Sequence, residues 1–234
     1  MNDKKQLILD AMGVIFMNRD DFEEVYLPQL KEKHDFDIGK ARDLYYGKLT
    51  LGKLTSAEFF RELGISPSLE FVKKLRIDPG FAWFAEKTGN FYCLSVLSND
   101  AIEWSRLLRE NYHLDRFVQN YFVSGELGYR KPDRRAYLEV MKRLNAKPCD
   151  CILVDNREVN LDSAKKLGWK TVHFDRTLGS GQVRNFGGLL SEVMQNLEVN
   201  LDSAKKLGWK TVHFDGTPGN SKVRNFGRLL RKAM

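Results

Sequence analysis

A chain of 234 residues, 42% hydrophobic and 29% charged, has the make-up of an ordinary folded protein, which excludes a disordered or low-complexity chain. The net charge of +7 is uneven. Residues 195–234 carry eight Lys/Arg against three Asp/Glu, leaving 30 against 28 for residues 1–194, so the basicity belongs to the tail and no nucleic-acid partner is expected. No apolar run approaches the roughly 20 residues that cross a bilayer. "MNDKK" leads into a short strand rather than a signal-peptide apolar region, so no membrane partner and a cytoplasmic location are expected.

The first element is "QLILDAMGVIF", residues 6–16, a strand whose apolar run stops on Asp10, with Met12 and then Gly13 following. Residues 16–90 show helical spacing, as in "SAEFFREL", and little strand signal. That length is too great for a crossover and suits an inserted helical subdomain. Within it, "YYGKLTLGKLTSAEFF" (45–60) offers Tyr45, Tyr46 and Lys53 to a substrate, although its aromatics serve equally well as core of the insert. Trp83 and Phe84 read as packing on its hinge side.

"FYCLSVLSND" (91–100) and "YFVSG" (121–125) read as further strands. "GYRKPD" (128–133) sets Lys131 on a loop ahead of a helix over 133–145, with Tyr137, Val140, Met141 and Leu144 on one face. "CILVDN" (151–156) is a strand ending on Asp155 and Asn156. It is followed by a helix over Leu161–Leu167 with Asn160 as N-cap and Gly168 as stop, a strand over Thr171–Phe174, and a helix from about Val183. Alternating strands and helices predict an α/β fold with a doubly wound, mostly parallel, Rossmann-like sheet. The cysteines, Cys93, Cys149 and Cys151, are odd in number and predict free thiols.

"EVNLDSAKKLGWKTVHFD" occurs at 158–175 and again, unchanged, at 198–215, continuing as "VRNFGGLL" and "VRNFGRLL". Two copies are too few for a solenoid. The expectation is a duplicated C-terminal helix-strand-helix unit, in which only the first copy follows a strand that can complete a site. The first strand copy should take the place beside the strand of Asp155, and the second should extend the sheet edge. His173 and His213 lie in these strands as structural residues.

In an open parallel sheet, ligands bind beyond the carboxyl ends of the strands. Three predicted strands end there on polar groups: Asp10, then Ser98 and Asn99, then Asp155, with Lys131 on a neighbouring loop. The stretches "DAMGV", "LSND", "GYRKPD" and "ILVDNREVNLDSAKKLGW" resemble, in order and spacing, the haloacid dehalogenase-like (HAD) superfamily, in the branch with a helical cap between the first and second motifs. The resemblance covers about residues 5–195. It implies a core of residues 1–15 and 91–195, a cap of 16–90, and 196–234 as a copy of 156–194. It implies that Asp10 is the nucleophile and that Ser98 and the Asn99 N–H hold phosphate. Lys131 would neutralise charge between Asp10 and the transferring group. Asp10 and Asp155, with the Met12 carbonyl, would bind Mg²⁺.

Two positions depart from the family pattern. Met12 stands where phosphatases usually carry a second aspartate that protonates the leaving oxygen, and Asn156 replaces an acidic residue. The expected activity is a Mg²⁺-dependent phosphohydrolase of a small phosphorylated metabolite through an aspartyl-phosphate, impaired or specialised by Met12. One alternative is a 2-haloacid dehalogenase-type hydrolase, whose halide leaves unprotonated but for which Asp155 has no use. A phosphonate-cleaving enzyme would need a cap lysine, for which Lys48 or Lys53 are candidates. The other alternative is a non-catalytic binding or scaffold protein on the same fold. A monomer or a homodimer, with exchange of the duplicated unit, fits the sequence.

Overall fold

The computed structural model describes residues 4–176 and 183–196, so the second copy of the repeat, 198–234, and the edge strand expected of it lie outside the described residues. The sheet has five parallel strands: β1 (Lys5–Leu9), β2 (Tyr92–Ser98), β3 (Asn120–Val123), β4 (Cys151–Asp155) and β5 (Lys170–His173), in the order β3-β2-β1-β4-β5. Strand side chains alternate between faces, and here both faces are covered. Leu7 and Leu9 of β1 join one apolar cluster with Val96, Val154 and Phe174, while Ile8 joins another with Leu97, Leu153 and Phe122. That double burial is why these strands read as continuous apolar runs rather than alternating ones.

β1 pairs with β2 on one side and β4 on the other, with Leu9 opposite both Val96 and Val154. The register brings Asp10 and Asp155, each one step beyond the shared row, to the carboxyl edge as neighbours. β5 lies beside β4 with Asp155 opposite His173, so the first copy of the repeat occupies the place beside the strand of Asp155. His173 is tied locally, its Nε2 3.2 Å from the Asn156 carbonyl oxygen and its Nδ1 3.6 Å from Glu158.

Helices α5 (Ile102–Asn111), α6 (Ser124–Leu127), α7 (Arg134–Leu144), α8 (Glu158–Lys166) and α9 (Phe186–Gln195) flank the sheet. In α7, Tyr137 and Val140 are buried, with Met141 and Leu144 packed against the same cluster, as their spacing predicts. α8 begins three residues earlier than expected, with Arg157 at the N-cap. Asn160 is therefore not a cap. It lies inside the helix and is buried, its side chain spent on Asp155. The cysteines are free thiols.

The insert leaves and rejoins the core through a two-stranded stem. Phe16 bridges Ile77 antiparallel, Met17 N–H donates to the Arg76 carbonyl, and Asp78 N–H to that of Ile15. Between these crossings lie α1 (Leu27–Lys33), α2 (Ile38–Gly47) and α3 (Ser56–Leu63). The capping box Thr55–Glu58 starts α3, the Thr55 hydroxyl accepting from Glu58 N–H while Glu58 accepts from Thr55 N–H. Helix α4 (Phe81–Thr88), within the range 16–90, packs instead on the sheet layer. Phe84 lies 4.9 Å from the Phe186 ring of α9, so Trp83 and Phe84 sit on a core helix beyond the stem, not at the cap hinge.

The cap docks closely on the core. The Ser124 hydroxyl donates to the Thr50 carbonyl at 2.5 Å, and a Cβ on Gly52 would lie 2.1 Å from the Gly125 carbonyl oxygen. Rings cross the same boundary: Tyr45 of α2 stacks on Phe22 (centroids 4.2 Å apart) and on Trp104 of α5 (5.4 Å). Among the described residues, no helix is long and apolar enough to cross a membrane.

Gly13 lets the chain turn from β1 toward the stem. Its φ is +79°, and a Cβ there would lie 2.2 Å from Asn156 Nδ2. Gly13→Ala therefore adds backbone strain to a steric clash and should lower the unfolding free energy by about 1–3 kcal/mol. A Gly13→Ala/Asn156→Ala pair, measured by urea unfolding, should recover the steric part and not the backbone part.

Candidate active site

Asp10, Ser98 and Asp155 come from the carboxyl ends of β1, β2 and β4, and Asn99 follows Ser98 directly. Lys131 enters from the loop between α6 and α7. Its ammonium lies 2.9 Å from Asp10 Oδ1 and 2.7 Å from Asp155 Oδ2, with all three side chains buried. Asn99 positions that loop. Its side-chain oxygen accepts from Lys131 N–H (2.8 Å), and its Nδ2 donates to the Lys131 carbonyl (2.9 Å).

The two carboxylates are held differently. Asp155 accepts from Lys131, from Arg157 N–H (2.9 Å on Oδ1), and from Asn160 Nδ2, at 3.0 Å to each oxygen. These four contacts occupy about as many lone-pair sites as an ionised carboxylate has. Asp10 is less committed. Its Oδ1 accepts from Ala11 N–H (2.7 Å) and Lys131, whereas Oδ2 has no hydrogen bond among the described residues. Burial pushes the Asp10 carboxyl up to about 7, with Asp155 adding to the rise and Lys131 opposing it. For Lys131, burial disfavours the charge, yet Asp10 and Asp155 hold the ammonium above its ordinary value.

A pocket covers this floor, lined by Asp10, Met12, Ser98, Asn99, Lys131 and Asn160 from the core and by Asp21, Tyr45 and Tyr46 from the cap, among others. Tyr45 and Tyr46 therefore face the site expected of them, and Tyr45 is also cap core. Lys53 is not in the pocket lining. Met12 lines the pocket, and its thioether side chain neither donates nor takes a proton at neutral pH. Asn156 is buried behind the site, its Oδ1 without a partner.

Several lining residues were not singled out in the sequence: Arg19, Asp20, Asp21, Arg130, Arg157 and Asn160. Asp20 and Asp21 stand in "NRDDF", where acidic residues ahead of a helix read as ordinary N-terminal caps. Asp21 does cap the single π-helical turn Phe22–Tyr26, accepting from Phe22 N–H (2.8 Å). Its other oxygen accepts from the Tyr45 hydroxyl at 2.9 Å. Asp20 links cap to core, accepting from the Tyr46 hydroxyl (2.9 Å) and from Arg157 Nη2 (3.1 Å). Only the spacing of "DNREVN" hinted at Asn160, five residues beyond Asp155 and so able to reach back from the first turns of the helix.

The carboxyl edge of this doubly wound sheet thus carries a half-committed carboxylate and a buried lysine beneath the cap. Residues 90–168 match the family model for haloacid dehalogenase-like hydrolases. The chain is 35% identical over 72 residues to flavin mononucleotide hydrolase 1 of Arabidopsis thaliana, covering 31% of this chain and 29% of that protein. It is 32% identical over 90 residues to a glyceraldehyde 3-phosphate phosphatase of Pyrococcus furiosus, covering 38% and 37%. The matches thus span about a third of the length of these curated relatives. In fold it is similar to a HAD family enzyme of Bacteroides thetaiotaomicron solved with magnesium and inorganic phosphate (TM-score 0.63, 19% identity, 76% of this chain and 97% of that one). It is also similar to a HAD phosphatase from Thermococcus onnurineus (TM-score 0.64, 17% identity, 83% and 100%).

The buried carboxyl of Asp21 has a consequence for stability. Burial pushes it up to about 7, Asp20 adds to the rise, and Asp100, buried behind it, is itself raised well above the usual range. Between the ordinary value of 3.8 and about 7, the folded state keeps a proton that the unfolded chain has lost, so stability falls as pH rises through that window and levels off above it. Thermal unfolding of the metal-free protein from pH 4.5 to 8.5 should show this decline. Asp21→Asn should make it shallower, Asp10 and Asp100 supplying the remainder, and raise the melting temperature at pH 8; an unchanged slope would place the proton elsewhere.

Proposed function

We propose that this protein is a Mg²⁺-dependent phosphohydrolase of a small phosphorylated metabolite, acting through an aspartyl-phosphate on Asp10. The observation that carries the reading is the asymmetry of Asp10. One oxygen is fixed by Ala11 N–H and Lys131 while Oδ2, on the same pocket-lining residue, is uncommitted. Oδ2 forms the bond to phosphorus as the ester P–O bond breaks, and water later attacks that phosphorus to release phosphate and restore Asp10.

The surrounding groups suit that chemistry. The Lys131 ammonium beside Oδ1 opposes the burial that favours the acid form of Asp10, and would offset charge on the transferring group. Ser98 and the Asn99 N–H, both from pocket-lining residues, would take phosphoryl oxygens. The donor set also fits a divalent cation. Two buried carboxylates on adjacent strands share one lysine, which leaves a negative charge uncompensated, and the orphaned Asn156 Oδ1 lies next to Asp155 in the chain. Asp10, the Met12 carbonyl and Asp155 would hold Mg²⁺, an ion that takes one or two carboxylates and fills its remaining positions with water and substrate oxygens. Asp155 would exchange one of its present hydrogen bonds to do so. Bound there, the metal supplies further neutralisation of phosphoryl charge.

Met12 cannot protonate a leaving oxygen, and general acid catalysis typically contributes about 10²–10⁴-fold. The pocket offers Asp21 as the substitute: a carboxyl from the cap, bonded by the Tyr45 hydroxyl and pushed up by burial to about 7. The same apolar Met12 suits a leaving group that needs no proton, the feature a dehalogenase-type hydrolase would share.

Phosphate release from a panel of esters and acyl phosphates should require both Mg²⁺ and Asp10, disappearing with a chelator and in Asp10→Asn. Halide release from 2-haloacids without metal would favour the dehalogenase alternative, and no turnover of any class a binding role. Met12→Asp should raise kcat on alkyl phosphates by about tenfold or more and do far less for acyl phosphates, whose leaving group needs no proton. An alkyl phosphate rate that does not rise would refute the account of the missing acid.

A further inference from the structure

Arg130 and Lys131 are consecutive in the chain, yet their side chains part. Lys131 reaches the pocket floor at Asp10 and Asp155, while Arg130 reaches the cap, and both line the pocket. Arg130 Nη1 donates to the Tyr46 carbonyl at the end of α2 (2.8 Å) and reaches the Thr50 hydroxyl at 3.5 Å, with the guanidinium 5.3 Å from the centre of the Tyr46 ring. Its Nε–H and Nη2–H groups make no hydrogen bond among the described residues, and none of those residues pairs with it as a carboxylate.

Other arginines differ. Arg42, Arg109 and Arg135 each fork onto a carboxylate, Glu23, Asp115 and Asp133 respectively. The pocket carboxylate on the cap side, Asp20, is already shared between Tyr46 and Arg157. Burial pushes the Arg130 guanidinium below its ordinary value, whereas the other three are held above theirs. Capping the α2 carbonyls uses one N–H group and a positive charge, which accounts for Nη1. It leaves a planar fork, suited to bidentate oxyanion recognition, unspent at the pocket wall.

We infer that Arg130 receives a second oxyanion on the substrate, so that the site takes small phosphate esters whose leaving part itself carries a carboxylate or another phosphoryl group. Lys131 and Arg130 then bracket one ligand, the lysine at the reacting phosphoryl group and the arginine at the far end. This rests on the phosphohydrolase reading for which end reacts, and it adds the class of substrate.

The test uses matched ligands: the phosphate ester of 3-hydroxypropanoate, its uncharged amide counterpart, and the bisphosphate of 1,3-propanediol. Dissociation constants are measured by calorimetry with Mg²⁺ in the Asp10→Asn background, so that affinity is read whether or not the ester is hydrolysed. At least one dianchored ligand should bind tenfold or more tightly than the amide, and Asp10→Asn/Arg130→Gln should bring that ratio to within about twofold of one. The acid and the bisphosphate arms tell carboxylate from phosphoryl recognition. A background protein with no preference, a parallel loss for all ligands in the double variant, or no binding of any would overturn the inference; the parallel loss would leave Arg130 as a cap-docking residue. Arg130→Lys should keep part of the bisphosphate preference and little of the carboxylate preference, since it retains charge and loses the fork. Turnover of these esters by the unmodified protein is scored separately and bears on the phosphohydrolase reading alone.

Discussion

Lys131 sits between Asp10 and Asp155 with its ammonium 2.9 and 2.7 Å from their oxygens, all three residues buried. Each charge would be expensive there alone, and removing one partner from such a buried set typically costs about 3–5 kcal/mol. The arrangement needs β1 and β4 in their observed register and the α6–α7 loop pinned by Asn99. It also needs Asn160 and Arg157 N–H to satisfy the rest of Asp155. The fold and the site are thus one constraint: the sheet that buries the apolar strands also forces two carboxylates together, and the lysine makes that tolerable.

The lysine compensates incompletely. Asp155 has its hydrogen-bonding capacity filled, while Asp10 keeps one oxygen open and an elevated affinity for protons. Two carboxylates of one type on adjacent strands are thereby separated into a saturated group and an open one by their hydrogen bonds. The partly buried Asn99 contacts and the buried Asn160 contacts fix these groups in advance.

The cap does more than cover the floor. Its aromatic contacts, Tyr45 between Phe22 and Trp104, fasten it to α5 while directing a hydroxyl at Asp21. The same side chain is packing and site lining together, so the two readings its position allowed were never exclusive. Asp20, Tyr46, Arg157 and Arg130 form the polar seam, in which core arginines reach cap oxygens across the opening. A ligand entering the pocket meets groups whose positions depend on how the cap is seated.

Much of this was legible in the sequence for definite reasons. Strands that end on polar residues identify the carboxyl edge of a parallel sheet, which is how Asp10, Ser98, Asn99, Lys131 and Asp155 could be singled out without coordinates. Gly13 was legible because the chain must turn sharply there. Asn160 was mistaken for a cap because an asparagine ahead of an apolar run has that local signature, and only the earlier start of α8 turns it toward Asp155. Asp21 and Arg130 had no readable signal, since a capping aspartate and a loop arginine are ordinary surface residues until a separate element covers them. Lys53 was proposed from position along the chain, which does not determine which face of the cap meets the core.

By itself the sequence determined the parallel α/β core, the order of its site-bearing strands and the inserted helices, because hydrophobic periodicity and strand-end chemistry are local properties. It also determined that Met12 stands where a proton donor is usual. Only the tertiary structure decided which carboxylate is saturated and which is open, and which cap residues share the pocket. Those facts depend on distances between residues far apart in the chain, Asp10 from Lys131 and Arg130 from Tyr46, and burial gives those distances their energetic weight.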